Sequence, residues 1–81
     1  MIMNVKIYTR DNCPYCVRAK DFFAKKNITV QEVKVERDIA RDSYFTLTGM
    51  KTVPAIYING KLIGGYTDLV EYAADNPGEF V

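Results

Sequence analysis

Asp11-Asn12-Cys13-Pro14-Tyr15-Cys16 holds the only two cysteines of the chain, with a proline directly after the first. Proline is welcome at the first position of a helix, where its missing N–H would have no partner in any case. A helix opening at Pro14 makes Cys13 its N-cap. There the sulfur can accept hydrogen bonds from the next free amides, those of Tyr15 and Cys16, and the positive end of the helix dipole favours a thiolate. Cys16 lies one turn inward on the same face, where it can resolve a mixed disulfide formed at Cys13. The stretch reads as a redox-active dithiol, with Cys13 as nucleophile and Cys16 as resolver.

Working outward, Val5 and Ile7 alternate with Lys6 and Tyr8 as in a short strand, and residues 9–12 form a polar loop before the helix. The helix runs from Pro14 to about Lys26, with Cys16, Ala19 and Phe23 on one stripe and Asn27 as its stop. Residues 28–35 alternate again through Ile28, Val30 and Val33, with a shift of phase near Glu32, and give a second strand. These pieces make a βαβ unit, whose crossover is right-handed and leaves the strands parallel. A second helix is expected from Asp38 to about Thr48, with Ile39, Tyr44, Phe45 and Leu47 as its apolar residues and Gly49 as its cap. Ala55-Ile56-Tyr57-Ile58 and Lys61-Leu62-Ile63 flank Asn59-Gly60, a pair suited to a tight type I′ turn, so they form an antiparallel hairpin. Gly64-Gly65 breaks the second of these strands. Thr67 or Asp68 then caps a last helix, which Asn76-Pro77-Gly78 ends.

With 81 residues, 48% of them hydrophobic and 26% charged, the chain has the composition of a soluble globular protein, read as one domain over residues 1–81. Eleven basic against ten acidic residues leave a net charge of +1, which gives no field for a nucleic-acid backbone or an anionic membrane. Apolar runs fall far short of the ~18 residues a spanning helix needs, and Met1-Ile2-Met3-Asn4 lacks the charged start and apolar stretch of a secretion signal. A cytoplasmic, reducing location follows as the expectation, in which the cysteine pair is catalytic and not a staple. The absence of histidine rules out a Cys-His or Ser-His nucleophile pair and any histidine-containing zinc site. Two cysteines alone leave a zinc tetrahedron half empty, so no metal is expected.

The order βαβ, helix, β-hairpin, helix, with Cys13-Pro14-Tyr15-Cys16 opening the first helix, resembles the glutaredoxins of the thioredoxin superfold. Two further motifs carry the resemblance along the chain: Thr52-Val53-Pro54 and Gly64-Gly65-Tyr66-Thr67-Asp68. It implies a four-stranded mixed sheet with helices on both faces. It also implies reduction of protein disulfides and of glutathione mixed disulfides, with glutathione as reducing co-substrate. The implied glutathione residues are Arg10, Tyr15, Thr52, Val53, Pro54, Gly65, Tyr66, Thr67 and Asp68, with the Val53-Pro54 bond cis as in the superfold.

The residues suit that chemistry in their own right. Glutathione carries two carboxylates and one amine around a central thiol. Arg10 can hold one carboxylate and add positive charge near Cys13. Thr67 and the free amides at the last helix's start can take the other, and Asp68 can accept from the amine. Tyr15 offers a ring beside the sulfur. Lys51, Asp21, Glu32 and Glu36 read as solvated charges without a catalytic task.

Two other readings keep the fold. Electrons could come from thioredoxin reductase, against which the glutathione residues argue. Alternatively, one cysteine from each of two subunits plus glutathione could hold an iron–sulfur cluster, a role with which Cys16 competes by offering a disulfide. The expected form is therefore a monomer whose partners are glutathione and disulfide-bonded or glutathionylated proteins. Ribonucleotide reductase is a candidate among them through the resemblance.

Overall fold

In the computed structural model, which describes residues 3–80, the sheet is built on β1 (Val5–Thr9), whose two neighbours run in opposite directions. Met1 and Ile2, which begin the stretch read above for a secretion signal, and Val81 lie outside the described residues. After β1 come α1 (Pro14–Ala24), β2 (Val30–Lys34), α2 (Arg41–Thr48), β3 (Ala55–Ile58), β4 (Lys61–Gly64), α3 (Tyr66–Asp75) and a short 3-10 turn, Pro77–Phe80. Strand order is β2-β1-β3-β4. β1 pairs in parallel with β2, whereas β3 is antiparallel to both β1 and β4.

These directions gather the ends that matter at one edge. β1 leads into Cys13 there, β2 ends there at Lys34, β3 begins there after Pro54, and β4 ends there at Gly64. The pairings Tyr8↔Ala55 and Ile56↔Gly64 fix the arrangement. At the far edge Asn59 and Gly60 take positive φ of 52° and 84°, as a type I′ turn requires. Asn4 clamps that turn, donating its N–H to Asn59 Oδ1 at 2.9 Å and accepting from Asn59 N at 2.7 Å.

Alternation along β1 splits the core. Val5 and Ile7 pack with Ala19, Phe23 and Leu69 beneath α1 and α3, and Tyr8 packs with Val35, Tyr44 and Ala55 beneath α2. Helices therefore cover both faces of a four-stranded mixed sheet, as the sequence leads one to expect. Phe23 is fully buried, and removing a side chain of that size from water is worth about 1.5–3 kcal/mol.

Four expectations change. Thr9 is not the start of the loop but the last residue of β1, with no exposed surface. The phase shift near Glu32 is not a break, since β2 pairs with β1 in unbroken register from Val5↔Val30 to Thr9↔Lys34. Glu32 simply occupies a position facing α1 where an apolar residue would have kept the alternation. The second helix begins at Arg41, not Asp38, because the Asp38 carboxylate accepts the Lys34 backbone N–H at 2.8 Å and is committed to a turn. Phe45 and Leu47 project outward, leaving Tyr44 and Thr48 as the buried residues of α2.

Candidate active site

Cys13 is the N-cap of α1 and Pro14 its first residue; the Cys13 Sγ accepts a hydrogen bond from Cys16 N at 3.2 Å. Of the two amides expected to serve the sulfur, only that of Cys16 does so. The two cysteines are joined as a disulfide, their Cα atoms 5.2 Å apart. Their environments differ. Cys13 is partly exposed while Cys16 is 1% exposed, so an incoming sulfur can meet Cys13 and not Cys16. The helix start gives Cys13 backbone donors and dipole together, whereas Cys16 faces the core on the stripe of Ala19 and Phe23.

On one side of the pair lies an open groove of about 160 Å³. Tyr15, Thr52, Val53, Pro54, Gly65, Tyr66, Thr67 and Asp68 line it. The structure thus brings together all the residues singled out as glutathione contacts except Arg10. The Val53-Pro54 bond is cis. Its loop is steadied from α2, where the Tyr44 hydroxyl donates to the Thr52 carbonyl at 2.6 Å. Thr48 hydroxyl in turn donates to the Tyr44 carbonyl and accepts from Met50 N. Burial raises the Tyr44 phenol above its ordinary pKa, so it stays a donor at neutral pH. Tyr15 is half exposed and leans toward Tyr66, ring centroids 6.1 Å apart, with the Arg18 guanidinium 5.2 Å from its own ring.

The last helix starts two to three residues earlier than expected. Gly65, and neither Thr67 nor Asp68, is the N-cap of α3. Asp68 sits at the third helical position and reaches back, its Oδ2 accepting from Gly65 N at 2.9 Å. Gly64 makes room for it. At φ +124° a side chain would be strained, and a Cβ there would stand 2.8 Å from Asp68 Cγ.

Arg10 is exposed and lies on the other flank of Cys13, in a separate pocket of about 550 Å³ that also contains both cysteines, Lys20 and Lys34. Sequence reasoning missed most of what is here. Thr9 hydroxyl donates to Glu32 Oε2 at 2.6 Å, and the same oxygen accepts from Lys20 Nζ at 3.1 Å. Glu32 is therefore a partly buried, doubly hydrogen-bonded carboxylate and not a solvated charge. The Thr9 hydrogen bond, and after it Lys20, hold its carboxyl below the usual range against the opposing effect of burial. Lys34 pairs with Asp11, which that contact likewise holds below its ordinary value. A signal existed in the sequence: Lys20 is one turn beyond Cys16, and Glu32 is where the apolar alternation of β2 falters.

Comparison with known proteins agrees with this geometry. The Glutaredoxin family model matches residues 5–63. Glutaredoxin 3 of Escherichia coli is 42% identical over 76 residues, spanning 93% of this chain and 89% of that protein. The crystal structure of glutaredoxin 1 from Francisella tularensis superposes with a TM-score of 0.81 at 36% identity, covering 95% of this chain and 98% of that one. A buckwheat glutaredoxin solved as a complex with glutathione gives 0.79 at 27% identity, over 91% and 71%. An N-capping cysteine, its buried partner one turn on and a sequence match spanning nearly the whole chain lead to one conclusion: the chain belongs to the glutaredoxin family.

Proposed function

We propose that the chain is a glutathione-dependent thiol–disulfide oxidoreductase in which Cys13 attacks and Cys16 resolves. The observation that carries this is the inequality of the two sulfurs, one at a helix N-cap and accessible, the other buried behind it. With a glutathionylated protein, the Cys13 thiolate attacks the glutathione sulfur and the protein thiolate departs and takes up a proton. A second glutathione thiolate then attacks the Cys13 mixed disulfide, giving glutathione disulfide and free Cys13. With a protein disulfide, Cys13 forms a mixed disulfide with the target. Cys16 displaces the target thiol, and two glutathiones reduce the resulting Cys13–Cys16 bond.

The groove supports glutathione as the reductant. The free amides at the start of α3 with Thr67 suit the γ-glutamyl carboxylate, and Asp68 its ammonium. Val53 offers backbone N–H and C=O to the peptide, Thr52, Pro54 and Gly65 shape the walls, and Tyr15 and Tyr66 supply apolar contact. Arg10, on the opposite flank of Cys13, suits the glycyl carboxylate at the tripeptide's other end. Targets are disulfide-bonded or glutathionylated proteins, among them ribonucleotide reductase by family resemblance. The protein works as a cytoplasmic monomer carrying electrons within one domain. Among the described residues no helix is long and apolar enough to cross a membrane.

Reduction of a small glutathione mixed disulfide, coupled to glutathione reductase, tests the reading beside the same assay run with thioredoxin reductase. Turnover in the glutathione-coupled assay is expected. Turnover with thioredoxin reductase alone would overturn it.

A further inference from the structure

Cys16 faces a difficulty that the fold itself creates. To close the disulfide it must become a thiolate, yet at 1% exposure it is poorly solvated, and burial in apolar surroundings disfavours the charged form of a thiol. Cys13 has the helix N-terminus to offset this, and Cys16, a full turn inward, does not. A cation shares its helix face and its pocket. Lys20 follows Cys16 by one turn on the same helix face, where Cβ atoms lie ~5–6 Å apart, and both residues line the 550 Å³ pocket beside the disulfide.

The position of Lys20 is over-determined for a surface lysine. Its ammonium is held by Glu32 Oε2 at 3.1 Å, and that oxygen is held in turn by the hydroxyl of Thr9, which has no exposed surface. The ion pair is about one-third exposed, Lys20 at 36% and Glu32 at 28%, and pairs of that kind add only ~0–1 kcal/mol to stability. A carboxylate and a hydroxyl on the face of the sheet that otherwise builds the core are therefore a poor device for stability and a good one for aim. The other charges around Lys20 do not duplicate it. Lys34 is paired with Asp11, and Arg10 is exposed on the loop before Cys13.

We propose that Lys20, clamped by Glu32 and Thr9, is the positioning residue of the resolving step, its ammonium stabilising the Cys16 thiolate that closes and reopens the Cys13–Cys16 disulfide. In closing, Cys16 gives its proton to solvent and its thiolate attacks Cys13 Sγ. The Cys13–Cys16 bond forms, the bond from Cys13 to the target sulfur breaks, and the target leaves as a thiolate that is protonated. Reduction by glutathione runs through the mirror step, with Cys16 as leaving thiolate. The inference rests on the reading of Cys16 as resolver.

The test uses protein carrying one glutathione on Cys13 and follows release of that glutathione by ring closure, in single turnover, across pH. Lys20→Met removes charge and hydrogen bond. Lys20→Gln removes the charge but keeps a donor for Glu32, and Lys20→Arg keeps both. Loss of a nearby, partly solvated cation is expected to raise the inflection by about one pH unit, the low end of the ~1–3 seen for an adjacent opposite charge. At neutral pH the thiolate fraction then falls about tenfold. Its higher basicity returns about threefold in nucleophilicity, since the Brønsted slope is ~0.4–0.5. Both neutral variants should thus close about threefold more slowly near pH 7 and, above the inflection, about threefold faster than the parent, with Lys20→Arg following the parent. A crossing of the two profiles is the signature of an electrostatic role. Coincident profiles, or slowing by one factor at every pH, would overturn the proposal. If Lys20→Met fails to fold, Lys20→Gln alone decides. If the unsubstituted protein never releases its glutathione, the assignment of Cys16 as resolver fails first and the role of Lys20 falls with it.

Discussion

Asp68 performs a structural task and is proposed to perform a chemical one, and replacing it in two ways separates them. Its Oδ2 accepts the Gly65 amide at 2.9 Å, closing the first turn of α3, and leaves Oδ1 for the ammonium of a γ-glutamyl group. Asp68→Ala removes both. Loss of an N-terminal cap costs ~1 kcal/mol, which for a domain of this size lowers Tm by about 4–8 °C. Loss of a charge-assisted hydrogen bond costs ~1.5–3 kcal/mol. Asp68 is exposed and the groove is open, which favours the low end and an increase in KM of about tenfold. Asp68→Asn keeps a carbonyl oxygen for Gly65 and discards the charge. It should recover most of the thermal stability while keeping most of the KM defect. The assay is the initial rate on a glutathione mixed disulfide at varied concentration, paired with thermal denaturation of the same preparations. An Asp68→Asn enzyme with the parent KM would refute the ligand role. A KM that followed Tm through both variants would reduce Asp68 to a helix cap.

The remaining expectations concern the sulfurs and the polar residues around them. Cys13→Ser should abolish every thiol-transfer activity, whereas Cys16→Ser should lose protein-disulfide reduction and keep removal of glutathione from mixed disulfides; both are read by product analysis on the two substrate types. The Cys13 thiol should titrate below the ~8.5 of a free cysteine, and the pH dependence of alkylation of the reduced protein would show a single inflection above pH 8 if the N-cap had no effect. The Glu32 carboxyl is held below its unfolded value of 4.5, so its contribution to stability is complete above that pH and is lost as pH falls through the lower folded value. Urea midpoints against pH should therefore fall less steeply on the acid side for Glu32→Gln than for the parent. Gly64→Ala forces a side chain onto φ +124° and against Asp68; a loss of about 1 kcal/mol or more in urea unfolding is expected, together with a raised KM as Asp68 is displaced.

What the sequence disclosed depended on whether a residue acts locally. Pro14 after Cys13 and Asn59-Gly60 between two strands each state their geometry within a few residues, so the N-cap and the hairpin turn were legible. The start of α3 lies two to three residues before the one expected because Asp68 can cap from the third position as well as from the N-cap, and only the backbone decides between them. Arg10 precedes Cys13 by three residues, and nearness in sequence does not say on which flank of the sulfur it lies. The loop between them, with Asn12 at φ +56°, carries it to the other flank of the sulfur. The interrupted alternation at Glu32 marks that residue, but nothing in the sequence pairs it with Thr9. They lie far apart in sequence, on strands whose register is a property of the whole sheet.

Register also explains how residues distant from the site can govern it. All segments that touch Cys13 or the groove hang from strand ends at one edge of the sheet, so their mutual placement is only as good as the pairing of β1, β3 and β4. Asn59-Gly60, at the opposite edge, sets where β4 begins against β3, and Asn4 ties that turn to the start of β1. A register shift between Ile56 and Tyr57 then brings Gly64, and not Ile63, opposite Ile56. That one extra residue puts a glycine where the chain must turn at positive φ, and the next glycine at the head of α3. Since side chains alternate faces with a period of two, a slip of one residue along β4 would place Ile63 at that turn. Its side chain would meet the carboxylate that Gly64 accommodates. The double glycine is thus meaningful only in combination with the turn and the bulge that precede it, and the geometry of the groove is as much a consequence of strand pairing as of the residues that line it.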